Sequence, residues 1–103
     1  MRLESFKPQR KGIKLGYACV RLPNGLVIAD IAICTLNGNF WATLPATPII
    51  NKNGQHEVDR AGKKRWAANL RWDDRLTHER WSADVVALVR EHHPEALDDG
   101  ALL

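Results

Sequence analysis

No apolar run in this chain approaches the roughly 20 residues that a bilayer-spanning helix requires, and Met1-Arg2-Leu3-Glu4 lacks the charged-then-apolar layout of a signal peptide. A cytoplasmic protein with no membrane partner is the expectation. Cysteine is scarce as well: Cys19 and Cys34 are the only two, and neither a C-x2-C spacing nor a pair of histidines at i and i+4 occurs. His92 and His93 are adjacent, so on a helix they diverge by about 100°. Neither a metal nor any other cofactor is expected, and each thiol, set inside a strand-like run, reads as a small buried hydrophobe. The glycine patterns that cradle phosphate, GxGxxG and the P-loop, are missing, as is the G-x-S-x-G nucleophile elbow. Asp73-Asp74 fits a helix cap better than an acid/base pair. His56, beside Glu57 and Asp59, is the lone acid/base candidate and reads more simply as a solvated loop histidine. An enzyme is not expected.

What is present suits one small domain: 103 residues, 45% of them hydrophobic and 26% charged. A core of that size supplies modest stability, which a dimer interface would raise. The formal net charge is only +3, yet the signs segregate. Residues 1–72 hold twelve of the fifteen Lys and Arg but four of the twelve Asp and Glu, whereas residues 73–103 hold three and eight. A basic body of this kind attracts polyanions at long range and gains from releasing counterions off phosphates. A solvated surface whose signs happen to separate is the plainer alternative.

The periodicities predict an α+β domain over residues 1–94: an antiparallel sheet of about four strands, then one C-terminal amphipathic helix. Residues 1–11 are polar and read as an arm with at most a short edge strand at its start. Residues 12–22 alternate with period two, Pro23-Asn24-Gly25 signals a hairpin, and residues 26–36 are rich in β-branched side chains. Asn37-Gly38 signals a second hairpin into strand three at residues 39–44. Pro45 and Pro48 then stop regular pairing, and residues 46–62 read as a long loop or a loose hairpin. Residues 63–72 alternate again, with Trp66, Ala68, Leu70 and Trp72 on one face and Lys63, Arg65 and Arg71 on the other, the pattern of a half-buried fourth strand with a basic outer face. From residue 73 the period turns helical, with Trp81, Val85, Leu88, Val89 and His92 as its stripe, Asp73 or Asp74 as N-cap and Pro94 as its stop. Residues 95–103 read as an acidic tail with the composition of a disordered terminus.

Taking both Asn-Gly pairs as two-residue turns assigns the faces of the first three strands. One face collects Ala18, Val20, Leu22, Val27, Ala29, Ile31, Ile33, Phe40, Ala42 and Leu44, a natural floor for the helix. The other collects Ile13, Leu15, Tyr17, Cys19, Arg21, Asp30, Ala32, Cys34, Trp41 and Thr43, too apolar to leave in water, so a second copy or a ligand with flat apolar groups should cover it. Tyr17 and Trp41, with Arg21 nearby, suit a platform on which bases stack. Lys63, Lys64, Arg65 and Arg71, together with Lys14, would hold phosphates beside it. The alternative makes Tyr17 and Trp41 ordinary packing residues of a dimer interface.

The run Ile31-Ala32-Ile33 through Asn37-Gly38, Phe40-Trp41-Ala42-Thr43-Leu44-Pro45 and Pro48 resembles the core motif of the stage V sporulation protein G (septation regulator) family. The resemblance covers residues 26–54 and the helix, about half of the chain. It implies a small sheet domain with a terminal helix, dimerisation through a sheet edge, and DNA or RNA binding with a regulatory role. Two departures stand out. Ala46-Thr47 replaces the family's basic residues after the first proline, and the loop to the next strand is longer. Arg80 on the helix, and less directly Arg75, would stand in for the missing cations. The order of elements is also similar to the single-stranded-DNA-binding domains of the transcriptional-coactivator and Whirly type, without a shared motif. The expected function is a non-enzymatic, dimeric nucleic-acid-binding regulator that favours single strands. The rival is an adaptor that engages a protein through its apolar sheet face.

Overall fold

Asn37 and Gly38 both lie at positive φ, 53° and 81°, the backbone of a tight hairpin turn that Asn and Gly adopt at least cost. In the computed structural model, which describes residues 1–97, this turn joins strands Val27–Leu36 and Asn39–Thr43. They pair with Ala32 opposite Thr43, Ile33 opposite Ala42 and Cys34 opposite Trp41, in the register that a two-residue Asn-Gly turn dictates. The complete order is β1 (Arg2–Lys11), β2 (Lys14–Arg21), β3 (Val27–Leu36), β4 (Asn39–Thr43), β5 (Ala46–Pro48), β6 (Trp66–Ala68) and helix α1 (Arg75–His92), followed by a 3-10 turn at Pro94–Leu97. Strands β1 to β4 form one antiparallel sheet in sequence order, and β5 pairs with β6 in a separate ribbon.

The first hairpin departs from expectation. Its turn spans residues 22–26: the Leu22 N–H donates to the Leu26 carbonyl at 2.8 Å, the Gly25 N–H donates to the Leu22 carbonyl at 2.9 Å, and Gly25 sits at φ 93°. A five-residue turn shifts the register by one, so Val20 faces Ile28 and Arg21 faces Val27. A β-bulge restores Ala18 opposite Ile31, and within it Asp30 takes φ 58°. The inward residue is consequently Ile28, and Val27 and Ala29, expected on the core face, are exposed. A second irregularity sets Lys14 opposite Cys34 but Gly16 opposite Ile33, which turns Leu15 into the core at 2% exposure instead of onto the outer face.

The fourth strand is not residues 63–72. It is β1, which lies antiparallel along β2 with Leu3 opposite Val20 and Phe6 opposite Ala18. Its core-facing residues are spaced by three because a bulge intervenes between Leu3 and Ser5, so no period-two signal survives in the sequence. Residues 63–72 form only the three-residue β6, and their alternation does not make a buried face: Trp66 is 55% and Leu70 43% exposed, and only Trp72, beyond β6, packs against the core beside Trp81.

Helix α1 starts where Asp74 caps it. The Asp74 Oδ1 accepts the Thr77 N–H at 2.7 Å and Oδ2 accepts the Thr77 hydroxyl at 3.0 Å, satisfying a donor that the first turn leaves free. The helix ends at His93, ahead of Pro94. Trp81, Ser82, Val85, Val86 and Val89 are buried against Val20, Ile31, Ile33 and Ala42, with Leu88 half-buried and His92 exposed. Each fully buried Val or Ile contributes roughly 1.5–3 kcal/mol relative to exposure. Ser82 also ties the helix to the sheet's β4 edge, its Oγ accepting the Ala42 N–H at 2.7 Å. The core extends past Pro94, since Leu97 is buried within it; the remainder of the expected acidic tail, residues 98–103, lies outside the described residues. No described helix is long and apolar enough to cross a membrane.

Two predictions follow from this packing. A Cβ on Gly16 would lie 2.7 Å from the Phe6 ring and collide with the Lys7 carbonyl, so Gly16→Val should lose about 1–3 kcal/mol of unfolding free energy in urea denaturation. The Thr77 hydrogen bonds hold the Asp74 carboxyl below its ordinary value. The stability this supplies is present above the unfolded-state value and lost as pH falls through the lowered folded one. The melting-temperature gap between the native chain and Asp74→Ala should be widest near neutrality and close in acid.

Candidate nucleic-acid interface

With α1 on one face of the sheet, the other stays open. Cross-strand pairing arranges that face in rows: Lys7, Tyr17, Ala32 and Thr43 stand in one, and Lys11, Lys14, Cys34 and Trp41 in the next. Small side chains in β3 make a low floor between aromatic and basic neighbours. The Lys14 Nζ donates to the Tyr17 hydroxyl at 2.8 Å and lies 4.9 Å from its ring centroid, a pairing that holds the phenol ring and the cation together. Cys34 is buried beside them. Burial pushes its thiol above the ordinary value, with the Lys14 charge opposing.

Two hollows mark this face. The first is lined by Ser5, Lys7, Gln9, Tyr17, Cys19 and Asp30 among others, and the second by Lys14, Tyr17, Asp30, Ala32, Thr43 and Trp66 among others. Tyr17 and Asp30 are common to both.

Trp66 reaches the second hollow from an arm formed by residues 46–68. Three short runs in the arm hydrogen-bond to one another: the Ile49 N–H donates to the Arg65 carbonyl at 3.1 Å, Glu57 N–H to Ile49 at 2.7 Å, and Arg65 N–H to Glu57 at 2.8 Å. Its two turns, residues 51–55 and 59–63, share one design. In each, the leading Asn51 or Asp59 uses its Oδ1 to accept two backbone N–H groups, and Gly54 or Gly62 takes positive φ at the fourth position. The same backbone closes residues 22–26. Each arm turn presents one exposed cation at its second position, Lys52 or Arg60. His56 stands edge-on to Trp66, with centroids 4.9 Å apart, and its Nε2 lies 2.8 Å from the Arg65 carbonyl. A carbonyl oxygen only accepts, so the ring proton belongs on Nε2. His56 thus braces Trp66. The arm has little core of its own, leaving Ile50 and Val58 more than half exposed. The radius of gyration is accordingly 14.9 Å, against about 13 Å for a compact chain of this length.

The nine residues singled out in the sequence divide into groups. Lys14, Tyr17 and Trp41 lie together on the open face. Lys63 and Lys64 are exposed on the arm. Arg21 is ion-paired with Glu4, whose carboxyl that hydrogen bond holds below its ordinary value, and Arg65 is paired with Glu57 at 2.6 Å. Arg71 lies beyond β6 in a hollow with Thr43, Trp72 and His78 at the start of α1, and so meets the open face only at its Thr43 margin, while Arg80 is exposed on α1 near Leu22 and Trp81, away from that face. The basic ridge expected from Lys63, Arg65 and Arg71 on one strand does not form. Sequence reasoning missed Lys7 and Lys11, because β1 was not legible as a strand, and Trp66, because its alternation pattern mimicked burial. Among the described residues, no three His, Cys, Asp or Glu side chains come close enough to hold a metal.

Fold and site together define a small α+β protein whose sheet is capped on one face by a helix and open, aromatic and basic on the other. Comparison with protein-family models, with curated proteins and with solved structures found no match.

Cys19 is half-exposed on the first hollow, while Cys34 is buried with its thiol pushed up. Because the thiolate is the reacting species, a thiol-reactive dye at pH 8 should label Cys19 well before Cys34, and Cys19→Ser should abolish the fast phase.

Proposed function

We propose that the open face binds single-stranded nucleic acid, and that the protein is a non-enzymatic nucleic-acid-binding regulator. The observation that carries this reading is the row of Lys7, Tyr17, Ala32 and Thr43 beside Lys11, Lys14 and Trp41. Aromatic rings flank a low floor while lysines line the β1–β2 side. Bases present their flat faces to Tyr17 and Trp41 only when unpaired, and stacking on an aromatic side chain is worth about 1–3 kcal/mol per base without demanding a particular sequence. Lys7, Lys11 and Lys14 are placed to meet the phosphates, with Lys52, Arg60, Lys63 and Lys64 on the arm as a second bank of charge.

The arm also favours a second reading, docking of a protein, including a second copy of this chain, on its exposed Ile50 and Val58. A dimer built on the arm suits the chain better than one built on a sheet edge. The β1 edge carries Arg2, Lys7, Pro8, Arg10 and Lys11, features that discourage edge pairing, and Ser82 already occupies the Ala42 N–H on β4.

Fluorescence anisotropy of labelled single- and double-stranded oligonucleotides at about 50 and 200 mM salt tests the proposal. Single strands should bind more tightly. Tyr17→Ala should weaken them about tenfold, and Lys14→Gln should reduce the slope of log affinity against log salt by about 0.7. Arg80→Gln should change neither. Binding indifferent to Tyr17 and Lys14, or absent at the lower salt, rejects the open face and leaves the arm's protein-docking role.

A further inference from the structure

On a face suited to a polyanion, one residue is out of place twice over. Asp30 lines both hollows, where a carboxylate repels phosphate. It also holds φ 58° in the β3 bulge, a left-handed conformation that glycine adopts freely and that Asp and Asn adopt at less cost than other side chains. Among the described residues Asp30 makes no hydrogen bond or ion pair, although Lys7 lines the first hollow and Lys14 the second. The fold spends both costs on placing an acceptor-only group beside Tyr17 in the open face.

Resting on the reading of this face as a single-strand surface, we infer that Asp30 makes the hollow between Tyr17 and Trp66 a guanine-selective base subsite. Guanine is the base whose Watson–Crick edge sets two donors side by side, N1–H and the N2 amine, matching the two oxygens of a carboxylate. Thymine offers one donor flanked by carbonyl oxygens, which the carboxylate repels. Adenine and cytosine offer an amine beside an acceptor nitrogen, so each makes one such bond. Tyr17 on β2 and Trp66 on the arm supply aromatic surfaces at the hollow's walls. Ala32 leaves the floor low, and Lys14 and Thr43 supply donors for the acceptor groups of the base or its phosphate. The arm's long route from β4 to α1 acquires a purpose here, since it is what brings Trp66 to the hollow.

The test uses the full chain and a labelled oligothymidine carrying guanine, inosine or thymine at one central position. Inosine keeps the ring of guanine and its N1–H but lacks the N2 amine. The native protein should bind the guanine strand about tenfold more tightly than the thymine strand, with inosine between. Asp30→Asn and Asp30→Gly both tolerate the positive φ of the bulge, so they remove the carboxylate without the strain that other substitutions would add; circular dichroism checks their fold. In both, guanine preference should disappear while affinity for plain oligothymidine rises, because a repulsive charge has gone. Equal binding of the three strands by the native protein overturns this inference alone, as does a guanine preference that survives in both variants. Failure to bind any strand at about 50 mM salt overturns the single-strand reading itself, and this inference with it.

Discussion

One helix can cover one face of a four-stranded sheet, and that limit governs the rest of the molecule. The seam between α1 and the inner face, built from Val85 and Val89 against Val20, Ile31 and Ile33, contains the large side chains that are fully buried. Burial per Å² is the dominant favourable term in a domain of this size, so this seam sets the register of everything around it. The Ser82 hydroxyl on the Ala42 N–H fixes the helix against the β4 edge, and the open face is what remains. A sheet with aromatic, basic and small side chains on an uncovered face is unfinished as a structure, and the proposed function rests on that unfinished side.

Irregularities in the strands shape that face. Each bulge shifts the alternation by one, and the two in the β2–β3 pair act in concert. One carries Leu15 inward and leaves Lys14 next to Tyr17; the other carries Ile28 inward and projects Asp30. The turns follow an economical plan, a five-residue closure with glycine fourth, used once in the sheet and twice in the arm. In the arm this plan ties the side chains of Asn51 and Asp59 into the backbone and leaves the cations beside them, Lys52 and Arg60, pointing to solvent. Charge is thereby displayed on a frame whose own acidic groups are largely engaged.

Legibility in the sequence tracked how local the determining physics was. Asn37-Gly38 dictates its turn from two residues, so β3 and β4 could be paired residue by residue. The Asp74 cap, the apolar stripe and Pro94 delimited α1 for the same reason. Asn24-Gly25 belongs instead to a longer turn beginning at Leu22, and a one-residue difference there inverts the expected places of Val27, Ile28 and Ala29. β1 was hidden because a bulge breaks its period and because its partner, β2, is reached through a turn at Gly12 and Ile13 with no Asn-Gly signal. Trp66, Ala68, Leu70 and Trp72 alternate as a buried strand would, yet β1 and not this run supplies the fourth strand of the sheet, and only residues 66–68 pair, with β5 in a separate ribbon. For the site, Tyr17 and Trp41 followed from the alternation of β2 and β4, whereas strict alternation set Lys14 on the opposite face and only the irregularity between Lys14 and Gly16 brings it beside Tyr17. Lys7, Trp66 and the distinct position of Asp30 depend on tertiary pairing and on bulges, which no local pattern announces.

The central claim is that nucleic acid lies across the open face and not along the helix. Mapping backbone amide chemical shifts while titrating an unlabelled single-stranded oligonucleotide into isotope-labelled protein measures this most directly. The account predicts saturable shifts at Lys7, Lys14, Tyr17, Ala32, Asp30 and Thr43, with the Trp66 indole moving alongside them and the exposed residues of α1, including Arg80 and Asp84, unchanged. Shifts concentrated on α1, or spectra unaltered at about 50 mM salt, where counterion release favours binding, would contradict it.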